Sequence, residues 1–271
     1  MLHNLVRLTR YRGLIQSLVA RELKARYRGS VLGFFWSFIN PLLLLLVYSF
    51  VFTFISPAAH DPRVEPYGLF MFCGILPWTW FSSSLAESSG VLISGGNLIK
   101  KVLFPAEILP IVTVLANMIH FFFGLVILAG FLVWYQRPLN LGELALFPVV
   151  VAVQLILTLG LALLLSALTV HFRDIKDILS NLLTFWFFST PIIYPYFIFQ
   201  DPKTGHELWQ GKLLKLNPFT HLAISYQEIL FFEGPVGHWK LLLLLGAISV
   251  VFFFFGYFVF DRLRDTFAEE V

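Results

Sequence analysis

The sequence predicts an all-α integral membrane protein with six transmembrane helices. Three observations predict it. Hydrophobic residues fill 58% of the 271 positions and charged residues only 13%, where a soluble domain carries about 25% charged. The mean hydropathy is +0.80. The apolar residues also collect in runs long enough to cross a bilayer, which takes about 20 residues. Such a chain cannot be a soluble enzyme, because a core of this length could not hide so much apolar surface. It cannot be a disordered scaffold, which needs low hydrophobicity. The single cysteine, Cys73, excludes an internal disulfide framework and a multi-cysteine metal centre.

The elements follow in order. Arg7, Arg10, Arg12, Arg21, Lys24, Arg26 and Arg28 precede the first long apolar run. Over 5–28 they mix with Leu5, Leu8, Leu14, Ile15, Leu18, Val19 and Leu23, which suits a helix lying on the inner membrane surface. Residues 1–30 are therefore read as a cytoplasmic amphipathic interface helix and 31–271 as the six-span domain. The first span is Val31–Ile55. Ser56-Pro57-Ala58-Ala59 resembles a cleavage site, but a signal core has only about 7–15 apolar residues. Further spans are expected at Tyr67–Ser88, Ile108–Tyr135, Leu144–Val170, Ile178–Phe199 and Lys240–Phe260. Pro191 and Pro195 should bend the fifth, since each removes a backbone donor. Gly29 and Gly33 read as a small-xxx-small pair that permits close helix approach.

Between spans five and six, within 200–239, Asn217 can cap a helix and Pro218 suits its first turn. Running to about Phe232, that helix measures roughly 22 Å, too short to cross. Outer re-entrant or gate helices are expected here; the alternative is a seventh span. With the N-terminus inside, inner segments hold thirteen basic residues and outer segments six, which puts both termini in the cytoplasm.

An energy source of the chain's own is not legible. Gly205 to Lys212 has the wrong spacing for a phosphate loop, and Leu213 stands where Ser or Thr should bind magnesium. His206-Glu207 begins a zinc-protease motif that Gln210 leaves incomplete. No catalytic triad, carboxylate pair or metal set can be argued. Glu87 and His120 are the ionisable residues inside spans, and both read as packed polar groups rather than an ion relay. Asn40, Asn117, Gln154 and Asn181 read as interhelical hydrogen-bonding groups. Transport therefore calls for an energising partner. The inner loop 94–107, with Asn97, Lys100, Lys101, Phe104 and Glu107, has the mixture of apolar and charged residues that docks in a groove of a cytoplasmic protein. Anchoring by Lys100 and Lys101 alone is the other reading. Two aromatic clusters stand out: Phe34, Phe35, Trp36 and Phe38, and Phe185, Trp186, Phe187 and Phe188 with Tyr194 and Tyr196 beyond. Sugar rings stack on aromatic faces without fixed hydrogen bonds, so such a lining lets a glycan slide.

The run from Arg21 to Pro41 (RELKARYRGSVLGFFWSFINP) strongly resembles the permease subunits of bacterial ABC exporters for cell-surface polysaccharides. So do Leu98–Pro105, Glu107–Pro110, Phe172-Arg173-Asp174, Trp186–Pro195 and Leu216-Asn217-Pro218. Ala106 departs from the charged residue that often follows the loop proline. The resemblance implies a homodimer bound to two separate ATPase subunits, which would hold the ATP and magnesium, so this chain would be no enzyme and carry no cofactor. It implies ATPase coupling through Arg21, Glu22 and the 94–107 loop, and lipid-phosphate or interface contacts at Lys24, Arg26 and Arg28. It implies a channel at the dimer interface lined by the aromatics Phe34, Phe35, Trp36, Phe38, Phe185, Trp186, Phe188, Tyr194 and Tyr196, and a gate that includes Asn217, Pro218 and Tyr226. The substrate would be a polyprenyl-diphosphate-linked polysaccharide leaving the cytoplasm across the bacterial inner membrane, with O-antigen expected first and teichoic acid or capsule as alternatives. Less expected are a small-molecule exporter of the same class, an ion-driven carrier or a glycan-modifying enzyme. Nucleic acid is not an expected partner.

Overall fold

The computed structural model describes residues 11–51, 61–101, 104–137, 141–200, 206–234 and 236–270. Among them the only β pairing is an isolated bridge between Gln200 and Glu207. The predicted interface-helix residues 5–10, the cleavage-like stretch 56–59, and Val102 and Leu103 of the inner loop lie outside the described residues.

The interface helix is α1 (Arg12–Arg26). Leu14, Ile15, Leu18, Val19 and Leu23 recur at helical spacing, and they pack against Ile108, Val112 and Ala116 of the helix Ile108–Trp134. Gly29 and Gly33 follow at φ +81° and +48°. They make the turn into the first span, in a region of backbone space that glycine enters without steric cost. The predicted small-residue pair is therefore a hinge in the chain and not a helix-packing seam.

The membrane helices are α2 (Trp36–Phe50), led by a 3₁₀ turn at Gly33–Phe35, α3 (Tyr67–Ser94), α5 (Ile108–Trp134), α7 (Phe147–His171) and α11 (Trp239–Leu263). Short helices α4 (Gly96–Lys101), α6 (Leu141–Leu144) and α12 (Phe267–Glu270) lie between or beyond them. Among the described residues, five segments are long and apolar enough to cross a membrane by length and composition. The central one is α3: 78% of its most apolar stretch is buried, against 11% for α2. Lipid tails are as apolar as leucine, so contact between such helices relies on close packing and interhelical hydrogen bonds. Both are present. Gly256 of α11 sits on Gly160 of α7, and Gln154 of α7 donates to the Pro77 carbonyl of α3 at 2.8 Å. Asn181, by contrast, bonds the Asp177 carbonyl of its own helix.

The fifth predicted span, Ile178–Phe199, is not one helix. Helix α8 covers Ile175–Phe188 and stops; a 3₁₀ turn at Tyr196–Phe199 comes later. The cause is local. Pro191 has no N–H to give to a fourth-preceding carbonyl and disfavours helical backbone at Thr190. The break leaves carbonyls without backbone partners, and side chains take them up. Asn217 donates to Ser189 at 3.1 Å, Gln227 to Pro191 at 2.9 Å, Tyr194 to Phe188 at 3.0 Å, and Tyr67 to Ile193. Non-helical backbone at membrane depth requires such partners.

After the break come α9 (Trp209–Leu214) and α10 (Pro218–Leu230). Phe219 at the start of α10 packs on Trp78 and Phe81, well inside α3, whereas Phe231 just past its end packs on Phe70 near the start of α3. At 13 residues α10 is about 20 Å long, so it runs from mid-depth to one end of the bundle.

Candidate functional site

Two regions of the structure carry functional potential. We call the end of the bundle that bears α1, α4 and α12 the basal end, and the other the distal end.

At the basal end, Phe104 packs against two clusters at once. One is the α1 seat on α5; the other holds Leu92, Leu163, Val170, Tyr257, Phe260 and Phe267. The 94–107 loop and α1 thus share one packed floor. On its surface Arg21, Lys24, Arg28, Asn97 and Lys100 are exposed and Glu22 is half-buried. Glu107 points inward: it is 5% exposed, and its Oε2 has no hydrogen-bonding partner among the described residues. Lys101 closes α4, and its side chain is outside the described set.

Arg26, expected near lipid phosphate, has protein partners. Its guanidinium pairs with Glu87 of α3 and donates to the Asn117 carbonyl oxygen of α5 at 3.0 Å. Asn117 donates back to Glu87 at 2.8 Å. Beside it the Tyr27 hydroxyl accepts from Ser37 of α2 at 3.0 Å, and its ring meets His120 of α5 edge to face. Arg26, Tyr27, Trp36, Ser37, Asn117 and His120 line part of a cavity of about 180 Å³ between α1, α2, α3 and α5. Sequence reasoning named Glu87, Asn117 and His120 only as packed polar groups; no local signal joins residues 61 and 91 positions apart.

At mid-depth, where α10 begins, the Asn217 carboxamide makes four hydrogen bonds. Its oxygen accepts from the Phe219 N–H at 2.9 Å, which caps α10, and from the Trp186 indole at 2.5 Å. Its nitrogen donates to Ser189 at 3.1 Å and to the Thr190 hydroxyl at 2.9 Å. One side chain therefore joins the broken end of α8 to the start of α10. Tyr226 is fully buried between Phe121 and Phe147, so in the single chain it is a core residue. The nine aromatics divide. Phe34, Phe35, Phe185 and Phe188 are exposed, from 52% to 71%. Trp36, Phe38, Trp186 and Tyr194 are half-buried. Tyr196 is buried and donates to Glu207 at 2.9 Å.

Two ion pairs lie in the distal loops. Hydrogen bonds from Arg63 keep the Asp61 carboxyl at about 2, so the pair persists until pH falls through that value. Arg63 also lies 3.7 Å from the Phe197 ring centre. Burial alone would raise the Glu207 carboxyl, but hydrogen bonds from Lys215 and Tyr196 hold it below the usual range.

This is a helical membrane domain with a packed basal floor that joins α1, α4 and α12, and with a broken helix beside the short α10. Residues 13–231 match the model of the ABC-2 type transporter membrane family. The chain belongs to the ABC-2 type transporter family. An ABC-2 membrane subunit works in an ABC transporter with an ATPase partner, which accords with a chain that has no legible energy source. The ABC-2 relatives it resembles include the O-antigen export system permease protein RfbA of Myxococcus xanthus, 42% identical over 265 residues and covering 97% of both chains. The RfbA permease of Klebsiella pneumoniae is 29% identical over 94% of both. The polysialic acid transport protein KpsM of Escherichia coli is 23% identical over 89% of this chain and 90% of that one.

Proposed function

We propose that this chain is the membrane permease of an ATP-driven exporter that moves lipid-linked O-antigen out of the bacterial cytoplasm across the inner membrane. The observation that carries the reading is the similarity, over nearly the whole of both chains, to the Myxococcus O-antigen export permease. In this reading two copies pair, each bound to one ATPase subunit. The exposed faces of α2 and α8, with Phe34, Phe35, Phe185 and Phe188, form the passage. The glycan slides over their rings; the Trp186 indole N–H and the Tyr194 hydroxyl are engaged by Asn217 and the Phe188 carbonyl, so these two offer ring faces rather than donors. The ATPases grip α1 and α4, ATP binding closes the two copies, and hydrolysis resets them. The segment from α8 through the turn at Tyr196–Phe199 completes the sixth crossing, and α10 is a re-entrant outer gate element. Both termini are cytoplasmic. The KpsM similarity favours capsule export as the second reading, and the chemistry of the exported glycan decides between the two.

Two predictions test this arrangement. Cys73 is buried, so an introduced thiol reports alone. Lys212→Cys, exposed on α9, should react with a membrane-impermeant maleimide added to spheroplasts, and Glu269→Cys should react only after permeabilisation. Lys212 protected together with Glu269 labelled from outside contradicts the orientation. Reversing the exposed charge on α4 with Lys100→Glu should lower surface glycan severalfold at unchanged membrane level, because it sets like charges against each other at the docking rim, which disfavours the contact. Parent-level export would remove α4 from the ATPase contact.

A further inference from the structure

We infer that Arg26, Glu87 and Asn117 form a register clamp that makes the interface helix and the inner ends of α3 and α5 move as one body, and that export is coupled to ATP hydrolysis through it. The inference rests on the proposed ATPase contact with α1 and α4.

The geometry is a closed triangle. The Arg26 guanidinium pairs with Glu87 and donates to Asn117, and Asn117 donates to Glu87. Each member touches the other two, and each sits on a different helix. Asn117 is 4% exposed and is further fixed by donating to the Thr113 carbonyl at 3.1 Å. Glu22, one turn earlier on α1, lies 3.8 Å from the Arg26 Nε. Charge-assisted bonds of this kind are shorter and roughly twice as strong as neutral ones.

The rest of the α1 seat is apolar. Leu18 and Val19 lie on Ile108, Val112 and Ala116. An apolar contact is non-directional, so it holds α1 against α5 without fixing its position along α5. The triangle supplies the missing constraint, at the end of α1 that leads into the first span. The other expected ATPase contact, α4, follows α3 directly, and Glu87 lies seven residues before the end of α3. A push on α1 and a push on α4 therefore meet in the same stretch of α3. Tyr27, the next residue, extends the connection to Ser37 of α2 and to His120 of α5. In this inference they are positioning residues, acting through α3 and α5 rather than by holding the ATPase or the glycan.

The test uses the full chain in a strain lacking the native gene, with the ATPase complex captured through a tag on this chain. Three quantities are read: surface glycan, ATP hydrolysis by the captured complex, and the complex's thermal midpoint. Glu87→Gln keeps the shape and removes the charge. The expected result is a fall of about tenfold in glycan exported per ATP hydrolysed, within the usual range of coupling free energies, with the thermal midpoint within a few degrees of the parent. The swap Arg26→Glu with Glu87→Arg should restore at least a third of parental export. The Asn117 carboxamide carries both a donor and an acceptor, so it can turn over and serve the reversed pair, but at the loss of its Thr113 bond, which makes the rescue partial. Asn117→Leu combined with the swap should not be rescued. Parental export by Glu87→Gln overturns the inference. So does an export loss that tracks loss of complex or of thermal midpoint, and so does a swap no better than either single change. If the parent chain itself fails to restore surface glycan, the proposed function fails and not the clamp alone.

Discussion

Asn217→Ala should destabilise the protein by about 3 kcal/mol or more and abolish export. The expectation follows from its four hydrogen bonds. Loss of a helix N-cap alone costs about 1 kcal/mol. The change also strands the Trp186 indole and the Ser189 carbonyl, and an unsatisfied buried group costs about 1–3 kcal/mol. Water cannot replace the partners cheaply at membrane depth. The check is thermal unfolding in detergent by near-UV circular dichroism or tryptophan fluorescence. A double-mutant cycle isolates the indole bond. Trp186→Phe keeps much of the contact with Phe81, at 5.1 Å between ring centres, and removes the donor. Combined with Asn217→Ala it should cost about 1 kcal/mol less than the sum of the single changes, as expected for directly bonded residues. An additive pair, or a single Asn217→Ala effect below about 1 kcal/mol, would contradict the idea that this side chain joins the broken helix to α10.

Gly256→Val should be the most damaging single change in the membrane helices. A Cβ at Gly256 would lie 2.2 Å from the Gly160 carbonyl oxygen, and one at Gly160 would lie 2.7 Å from the Phe253 Cα. The obstacle in both cases is backbone, which cannot rotate away as a side chain can. The two helices must separate and lose their closest contact. Overpacking typically costs about 1–3 kcal/mol, and here the displacement spreads along both helices. We expect a large fall in thermal midpoint or no accumulation in the membrane, with Gly256→Ala milder in the same direction. Gly90→Ala and Gly130→Ala are the controls. Nothing lies within 4 Å of an added Cβ at either glycine, and alanine is a better helix former by about 1 kcal/mol. Both should be neutral or slightly stabilising. Equal effects at Gly130 and Gly256 would contradict a special role for the α7–α11 crossing.

What could be read from the sequence was what repeats along it. Long apolar runs located α3, α5, α7 and α11, and Asn217-Pro218 located the start of α10. The failures share a cause. Pro191 and Pro195 signalled a bend, but whether the helix resumes depends on partners supplied by Gln227, Asn217 and Tyr67. Those residues lie between 28 and 126 positions away from the carbonyls they satisfy. Gly29 and Gly33 have a spacing that suits a helix seam and a turn equally, and only the backbone angles separate the two. Arg26 looked like one more basic residue near lipid. Its pairing with Glu87 became visible only when α1 was placed along α5. Among the aromatics, composition named the clusters, but exposure divided them, leaving Tyr196 inside and Phe185 and Phe188 outside.

The most direct test is the fate of glycan in cells lacking this chain. Surface polysaccharide and cytoplasmic lipid-linked polysaccharide should be separated and measured in the deletion strain and after complementation. The proposed function predicts that long glycan accumulates inside on its lipid anchor, that the surface layer is lost, and that the intact gene restores it. Normal surface glycan with no internal accumulation would contradict polysaccharide export by this protein.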